Sequence, residues 1–165
     1  MAVDIYLQLA GIPGAVTERD HKDWIELTGA TWGVEQSGAA SGAGGGGGAG
    51  GGGAGKSKQH PLVVSAPTTI ATPLLFEAVA KGTHVPTGRL EVVRVTEGRG
   101  VVVIRWEFED VRLSRLDLAG ADAGFADSFE LVAKRARLTV FRQDGHGGAA
   151  QPVTRGWDFA THQAW

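Results

Sequence analysis

The chain has 165 residues, a formal net charge of −2 at pH 7 and no cysteine. Its length is typical of one domain, residues 1–165, rather than two. The lack of cysteine excludes disulfides, thiolate metal sites and a cysteine nucleophile. Because the charge balance lacks the basic excess that marks most nucleic-acid-binding proteins, we expect no nucleic-acid partner.

The chain opens with an alternating segment that predicts a β-strand over residues 3–9. Val3, Ile5 and Leu7 alternate with more polar neighbours, which is the pattern of a strand with one buried face. This segment lacks the continuous apolar stretch of a secretory signal, and no apolar run approaches the length of a membrane helix. We therefore expect synthesis in the cytoplasm without a signal peptide, no membrane insertion, and export only by a route that takes the folded protein.

Strand-like segments at residues 24–28 and 31–36 lead into nineteen residues, Ser37 to Gly55, that are all Ser, Gly or Ala. Extended character resumes at residues 62–68, so we interpret the tract as one long connection between two strands of a sheet. A flexible Gly-rich chain of this length typically spans about 24 Å, enough to reach a neighbouring molecule. Fixing its backbone would cost on the order of 20–40 kcal/mol, so its ordering requires strand pairing or confinement by neighbours.

The end of the tract also matches a phosphate-binding pattern. Gly50, Gly55, Lys56 and Ser57 stand at the fixed positions of G-x-x-x-x-G-K-[ST]. A phosphate loop needs a buried strand before it and a helix that begins at the Lys-Ser pair. Here small residues precede the pattern and Pro61 opposes a helix after it. We interpret the match as a consequence of glycine-rich composition, and we keep a nucleotide-binding protein as an alternative from another functional class.

Residues 73–81 are predicted to form the one substantial helix. Thr72 is a suitable cap, Pro73 fits the first helical position and Gly82 ends the run. Strand-like segments follow at residues 89–96, 101–113, 129–141 and 156–159, with turns near residues 120 and 124. We predict a mainly β fold, an antiparallel, closed two-sheet β-barrel of about eight strands, or a sandwich, with one packed α-helix.

A histidine between carboxylates is the first candidate for chemistry. Asp20, His21, Lys22 and Asp23 follow one another, but no other histidine has the spacing of a metal ligand. A solvated turn that caps itself is therefore the simpler interpretation.

Charged strands are the second candidate. Glu107 and Glu109 share a strand face with Arg105, and a charged wall facing water explains them as well as catalysis does. The basic run that contains Arg135 and Arg137 has no interleaved stacking aromatics, which favours an exposed or interfacial strand face over nucleic-acid binding. We expect no catalytic residue, no cofactor and no metal site, and hence no enzyme. The tryptophans of the predicted strands are expected to pack in the core.

Short motifs in a fixed order span most of the chain: D-I-Y-L at 4–7, D-H-K-D-W-I-E-L at 20–27, W-G-V at 32–34, A-T-P-L-L-F-E-A at 71–78, G-T-H at 82–84, E-F-E-D-V at 107–111 and G-W-D at 156–158. In this order the motifs resemble the haemolysin-coregulated protein (Hcp) family, the inner-tube subunit of bacterial type VI secretion systems. The motif residues that carry the resemblance are Asp20, His21, Trp24, Pro73, Phe76, Gly82, His84, Gly156, Trp157 and Asp158.

The resemblance implies a non-enzymatic β-barrel subunit that assembles as hexameric rings. Such rings stack into a hollow tube that a contractile sheath expels, and some members hold effectors in the lumen. The implied partners are further copies of the chain, a spike protein, a sheath and effector proteins, and the implied location is the cytoplasm before assembly and outside the cell after secretion.

The tract at residues 37–55 departs from the family pattern, at the place where the family has an extended loop that contacts neighbouring subunits. The residues expected at this inter-subunit loop are Ser37, Gly44, Gly50, Gly55 and Lys56. Two other hypotheses stay open beside the nucleotide-binding one. The first is a tail-tube subunit of a phage-like contractile particle, and the second is a monomeric barrel that encloses a small ligand.

Overall fold

The computed structural model describes residues 2–36, 56–96, 98–142 and 151–165. Within these ranges it has nine strands and one helix. In chain order they are β1 (Ala2–Leu9), β2 (Ile25–Leu27), β3 (Gly29–Gln36), β4 (Ser57–Pro67), α1 (Thr72–Lys81), β5 (His84–Thr96), β6 (Arg99–Ala121), β7 (Gly124–Val140), β8 (Val153–Asp158) and β9 (Gln163–Ala164). The predicted mainly β fold with one helix is confirmed for these residues. Four of the expected loop positions, Ser37, Gly44, Gly50 and Gly55, lie outside them.

The strands form one antiparallel sheet with the order β2-β1-β5-β6-β7-β4-β3, and β8 pairs with β7 and β9. No ladder joins the end strands β2 and β3 within the described ranges. The N–H of Thr28, between these two strands, donates to the carbonyl of Ser65 on β4 at 2.8 Å. The closed two-sheet barrel expected from the sequence is therefore not confirmed, although the two ends of the sheet meet at this hydrogen bond.

The core lies on one face of the sheet, under α1. Its largest fully buried side chains include Phe129, Leu7, Leu75 and Leu90. The helix has Ala71 as its N-cap with no side-chain cap, so the predicted capping by Thr72 is wrong. The Thr72 hydroxyl instead donates to the buried carboxylate of Asp127, which ties the first helical turn to β7.

Strand β4 begins five residues earlier than the sequence predicts. Its ladder with β3 shifts register between Thr31 and Gly33, where β4 carries an extra residue beside Pro61. A proline, which has no N–H to donate, is tolerated in a strand at such a bulge. The pair of turns expected near Gly120 and Gly124 is also wrong, because Gly120 lies within β6 and one turn at residues 122 and 123 joins β6 to β7.

Strand β7 pairs with β6 along its length, but on its other side its partner changes from β4 to β8. Its first half, Ala126–Leu131, pairs with β4, and its second half, Arg135–Val140, pairs with β8. We call the point where β8 replaces β4 beside β7 the fork. There the side-chain amide of Gln59 donates to the carbonyl of Ala133. The first residues of β4 therefore diverge from β7, and the end of β3 goes with them because it stays paired to β4.

We call residues 33–36 and 57–60 the β3–β4 arm. Its two strands stay paired to Gln36 and Ser57. The Ser/Gly/Ala tract thus connects neighbouring strands, as predicted.

Candidate functional site

The histidine of the D-H-K-D motif lies in a buried polar cluster. His21 is only 5 % exposed, and its Nδ1 and Nε2 lie 2.8 Å and 2.9 Å from the carboxylates of Glu18 and Glu91. Tyr6 stacks on the ring at 4.3 Å between centroids and Trp24 meets its edge at 4.8 Å.

The cluster fastens the turn at residues 17–24 to the sheet. Glu91 is itself 5 % exposed and accepts a second hydrogen bond, 2.6 Å long, from Nε of Arg105. The N–H of Asp20 and the ring of His21 hold the pKa of Glu18 below its ordinary value. The expected solvated turn is therefore wrong for His21, because its partner on β5 buries it. Among the described residues no group of His, Cys, Asp or Glu has the arrangement of a metal site.

Three ion pairs cross the polar face of the central strands. Arg105 of β6 pairs with Glu91, Glu107 lies 3.4 Å from Arg89, and Glu109 lies 3.2 Å from Arg135. The register places the members of these pairs on neighbouring strands of one face. The expected charged wall is present, and it consists of cross-strand ion pairs that balance each other's charge.

The three residues of the G-W-D motif lie in different environments. A Cβ on Gly156 would overlap the backbone carbonyl of Trp165, whose N–H donates to the carbonyl of Gly156 at 3.1 Å. Trp157 is 36 % exposed and lines a groove, so the expected core packing is incomplete there. Asp158 is 4 % exposed and accepts hydrogen bonds from Arg135 and from the backbone N–H of Thr161 and Ala160, and these donors, Arg135 first, hold its pKa far below the ordinary value.

Two of the motif residues around α1 define the ends of the helix, and two others are exposed at the surface. Pro73 lies in the first turn, and Gly82 ends the helix with a left-handed φ of 63°, a conformation that favours glycine. His84 pairs with Asp110 at 2.5 Å in an exposed position, which lowers the pKa of that carboxyl. Phe76 is 65 % exposed on the outer side of the helix.

The backbone that follows Lys56 does not have the form that follows the lysine of a phosphate loop. Ser57 begins strand β4, which pairs with β3 from its first residue. A phosphate loop would begin a helix there, with its N–H groups directed at the anion. This geometry contradicts the nucleotide-binding alternative.

The family comparison separates the type VI tube subunit from the phage-like tail-tube subunit. The family model described as "Type VI secretion system effector, Hcp" matches residues 6–150. The chain belongs to the Hcp family. It is a subunit of the type VI secretion tube rather than a tail-tube subunit of a phage-like particle. No curated protein matches the sequence.

Solved structures agree over nearly the whole chain. A type six secretion system protein is 25 % identical over 99 % of this chain and 100 % of its own, with a TM-score of 0.87. Hcp1 from Salmonella typhimurium is 23 % identical over the full length of both chains, with a TM-score of 0.80. The secreted protein Hcp3 from Pseudomonas aeruginosa shares the fold at 13 % identity over 95 % of this chain and 98 % of its own, with a TM-score of 0.64. The described helix is too short and too polar to cross a membrane.

Four residues that contact motif residues were not predicted from the sequence: Glu18, Glu91, Asp127 and Trp165. The Glu91 partnership with His21 crosses seventy positions and leaves no local signal. Trp165 could have been suspected, because a glycine in a strand often marks the close approach of another backbone.

Proposed function

We propose that this tube subunit forms hexameric rings, that the rings stack into a hollow tube, and that a contractile sheath expels the tube. The observation that carries the proposal is the family match over residues 6–150. Two features of the fold support it. In the described part of the chain, no ladder joins the end strands β2 and β3, and the β3–β4 arm diverges from β7 at the fork. Unpaired strand edges and extended arms are the elements through which identical chains join.

The polar face of β5, β6 and β7 is our proposed channel wall. Its ion pairs, such as that of Arg89 and Glu107, keep it wet and close to neutral. A balanced wall would let proteins of either charge occupy the lumen, since neither sign is repelled strongly. We include effectors among the partners on this argument, together with a spike protein and a sheath.

The finer parts of the proposal follow from this role. The subunit acts without catalysis and without a cofactor. It is cytoplasmic before assembly and leaves the cell through the secretion apparatus rather than by a signal peptide. The hydrogen bond from Thr28 to Ser65 supports a barrel that closes at the junction of β2, β3 and β4. The Gly-rich loop and Lys56, at the end of the β3–β4 arm, contact the neighbouring subunit.

Native mass spectrometry of the purified protein tests the ring. The proposal predicts a species six times the 17.2 kDa mass of the chain. A protein that stays monomeric at high concentration, with its spike partner present, would rule the proposal out. A monomer that also takes up a small apolar ligand would favour the ligand-enclosing barrel instead.

A further inference from the structure

An aromatic groove of about 750 Å³ opens at the fork on β7. Its apolar lining includes Trp32, Leu138, Trp157 and Phe159. The groove exists because the β3–β4 arm diverges from β7 where β8 takes over as its partner. A concave apolar surface with aromatic walls is the usual form of a binding site for a ligand or a partner's side chains.

Two residues of the groove lining carry buried polar atoms that have no hydrogen-bond partner among the described residues. Ser57 Oγ and His162 Nδ1 are buried, and neither has a hydrogen-bond partner among the described residues. Both residues line the groove. Buried polar atoms without partners are rare in proteins, so this end of the groove lining is unusual among the described residues.

An exposed apolar patch lies at the end of the β6–β7 hairpin. Leu118 is 52 % exposed and Phe125 is 68 % exposed. The register pairs Phe125 with Gly120, two residues after Leu118, so both apolar side chains are on one face. Ile70, 67 % exposed, is close by, because the N–H of Thr68 donates to the carbonyl of Phe125 at 3.3 Å. We call Ile70, Leu118 and Phe125 the tip patch.

The groove and the tip patch lie at opposite ends of strand β4. Ser57 begins β4 in the groove, and Pro67 ends it beside the hairpin, where it pairs with Ala126. Ten residue steps along a strand cover about 33 Å, so a subunit cannot fill its own groove with its own tip patch. Complementary surfaces at opposite ends of one chain join copies head to tail, in closed rings or open stacks.

The charges of the two surfaces agree with this pairing. Asp122 lies in the hairpin turn at the tip, whereas Lys56 and Arg155 are exposed residues that line the groove. One acidic residue, Glu35, also lines the groove, so the basic residues there outnumber the acidic ones by two to one. An acidic tip against a basic rim favours the correct orientation of two docking copies.

We propose that the tip patch of one subunit docks into the aromatic groove of a second copy of the chain, with Phe125 as its anchor. The inference rests on the proposed function in that the partner is another subunit, and it adds the two surfaces that meet.

Cysteine cross-linking tests the contact directly, because the natural chain has no cysteine. The variant Val34→Cys/Leu118→Cys carries one thiol in the groove and one at the tip. The control Val3→Cys/Leu118→Cys moves the first thiol to a strand valine of similar exposure, 50 % against 55 % for Val34. With a short bismaleimide we expect a ladder of covalent oligomers from the first variant and at most dimers from the control. Equal ladders, or none from either variant, would overturn the inference.

A substitution at the anchor gives an independent readout. We expect Phe125→Ser to weaken the assembly about tenfold or more, as removal of an aromatic hot spot does. The control Phe76→Ser removes an equally exposed phenylalanine, 65 % against 68 %, from outside the tip patch. If the natural chain forms six-fold rings and both variants assemble equally well, the docking contact is wrong and the ring stands. A cross-linked ladder without six-fold rings would keep the contact and reject the ring.

Discussion

His21 and Glu91 are seventy positions apart in the sequence, and His21 Nε2 lies 2.9 Å from the Glu91 carboxylate. The contact joins the turn at residues 17–24 to β5, and Arg105 of β6 completes it from the other side. A motif that reads as a surface turn is in this way part of the sheet's own framework. The buried motif residues His21 and Asp158 therefore hold the subunit in shape, whereas Phe76 and Trp157 of the same motifs are exposed.

The charge of Glu91 should matter for stability. We expect Glu91→Gln to lower the free energy of unfolding by about 1–3 kcal/mol, because His21 and Arg105 would lose a charged acceptor in a buried site. Urea denaturation of the purified variant measures the change. The control Glu107→Gln removes a carboxylate with a longer, more exposed contact to Arg89, and should cost less than about 1 kcal/mol. Equal losses for the two variants would show that the buried cluster has no special role.

The close approach at Gly156 predicts a second stability effect. Gly156→Ala should lower the free energy of unfolding by about 1–3 kcal/mol, because the new methyl group meets the backbone of Trp165. Gly29→Ala is the control, since a Cβ there meets nothing within 4 Å. Thermal melts of both variants compare the two sites. A melting temperature of Gly156→Ala equal to that of the natural chain would mean that Trp165 is not held there.

Asp158 predicts a dependence of stability on pH. Its folded-state pKa is lowered, so the charged form stabilises the fold above the ordinary value of 3.8, and this contribution is lost as the pH falls further. We expect Asp158→Asn to be less stable than the natural chain at neutral pH, and the difference to shrink once the pH falls below about 4. Urea midpoints of both proteins across this range measure it. A difference that stays constant down to about pH 2 would contradict the assignment.

The nucleotide-binding alternative predicts heat where we expect none. Because β4 rather than a helix begins at Ser57, calorimetry with magnesium and ATP should give no saturable heat. Saturable heat that disappears in Lys56→Ala would restore the phosphate-loop interpretation.

Features that depend on neighbouring residues could be predicted from the sequence, whereas most contacts between distant residues could not. Alternation in residues 3–9 predicts β1, and Gly82 predicts the end of α1, because both depend on neighbours in the chain. The start of β4 is hidden by Pro61, which a bulge accommodates only once β3 is in place. The burial of His21 has no local signal at all, since its partner lies on another strand.

The groove and the tip patch could not be predicted from the sequence either. Trp157 follows the pattern of a core residue, and only the fork on β7 leaves it half exposed. Leu118 and Phe125 belong to strands that extend farther than their alternation predicts, so their joint exposure follows from the length of the hairpin.

Electron microscopy of the purified protein tests the central claim, self-assembly into a tube, most directly. The account predicts annular particles with six-fold symmetry and a central channel, and tubes of stacked rings at higher concentration. A uniform field of single subunits, with no rings or tubes even in the presence of the spike partner, would contradict it.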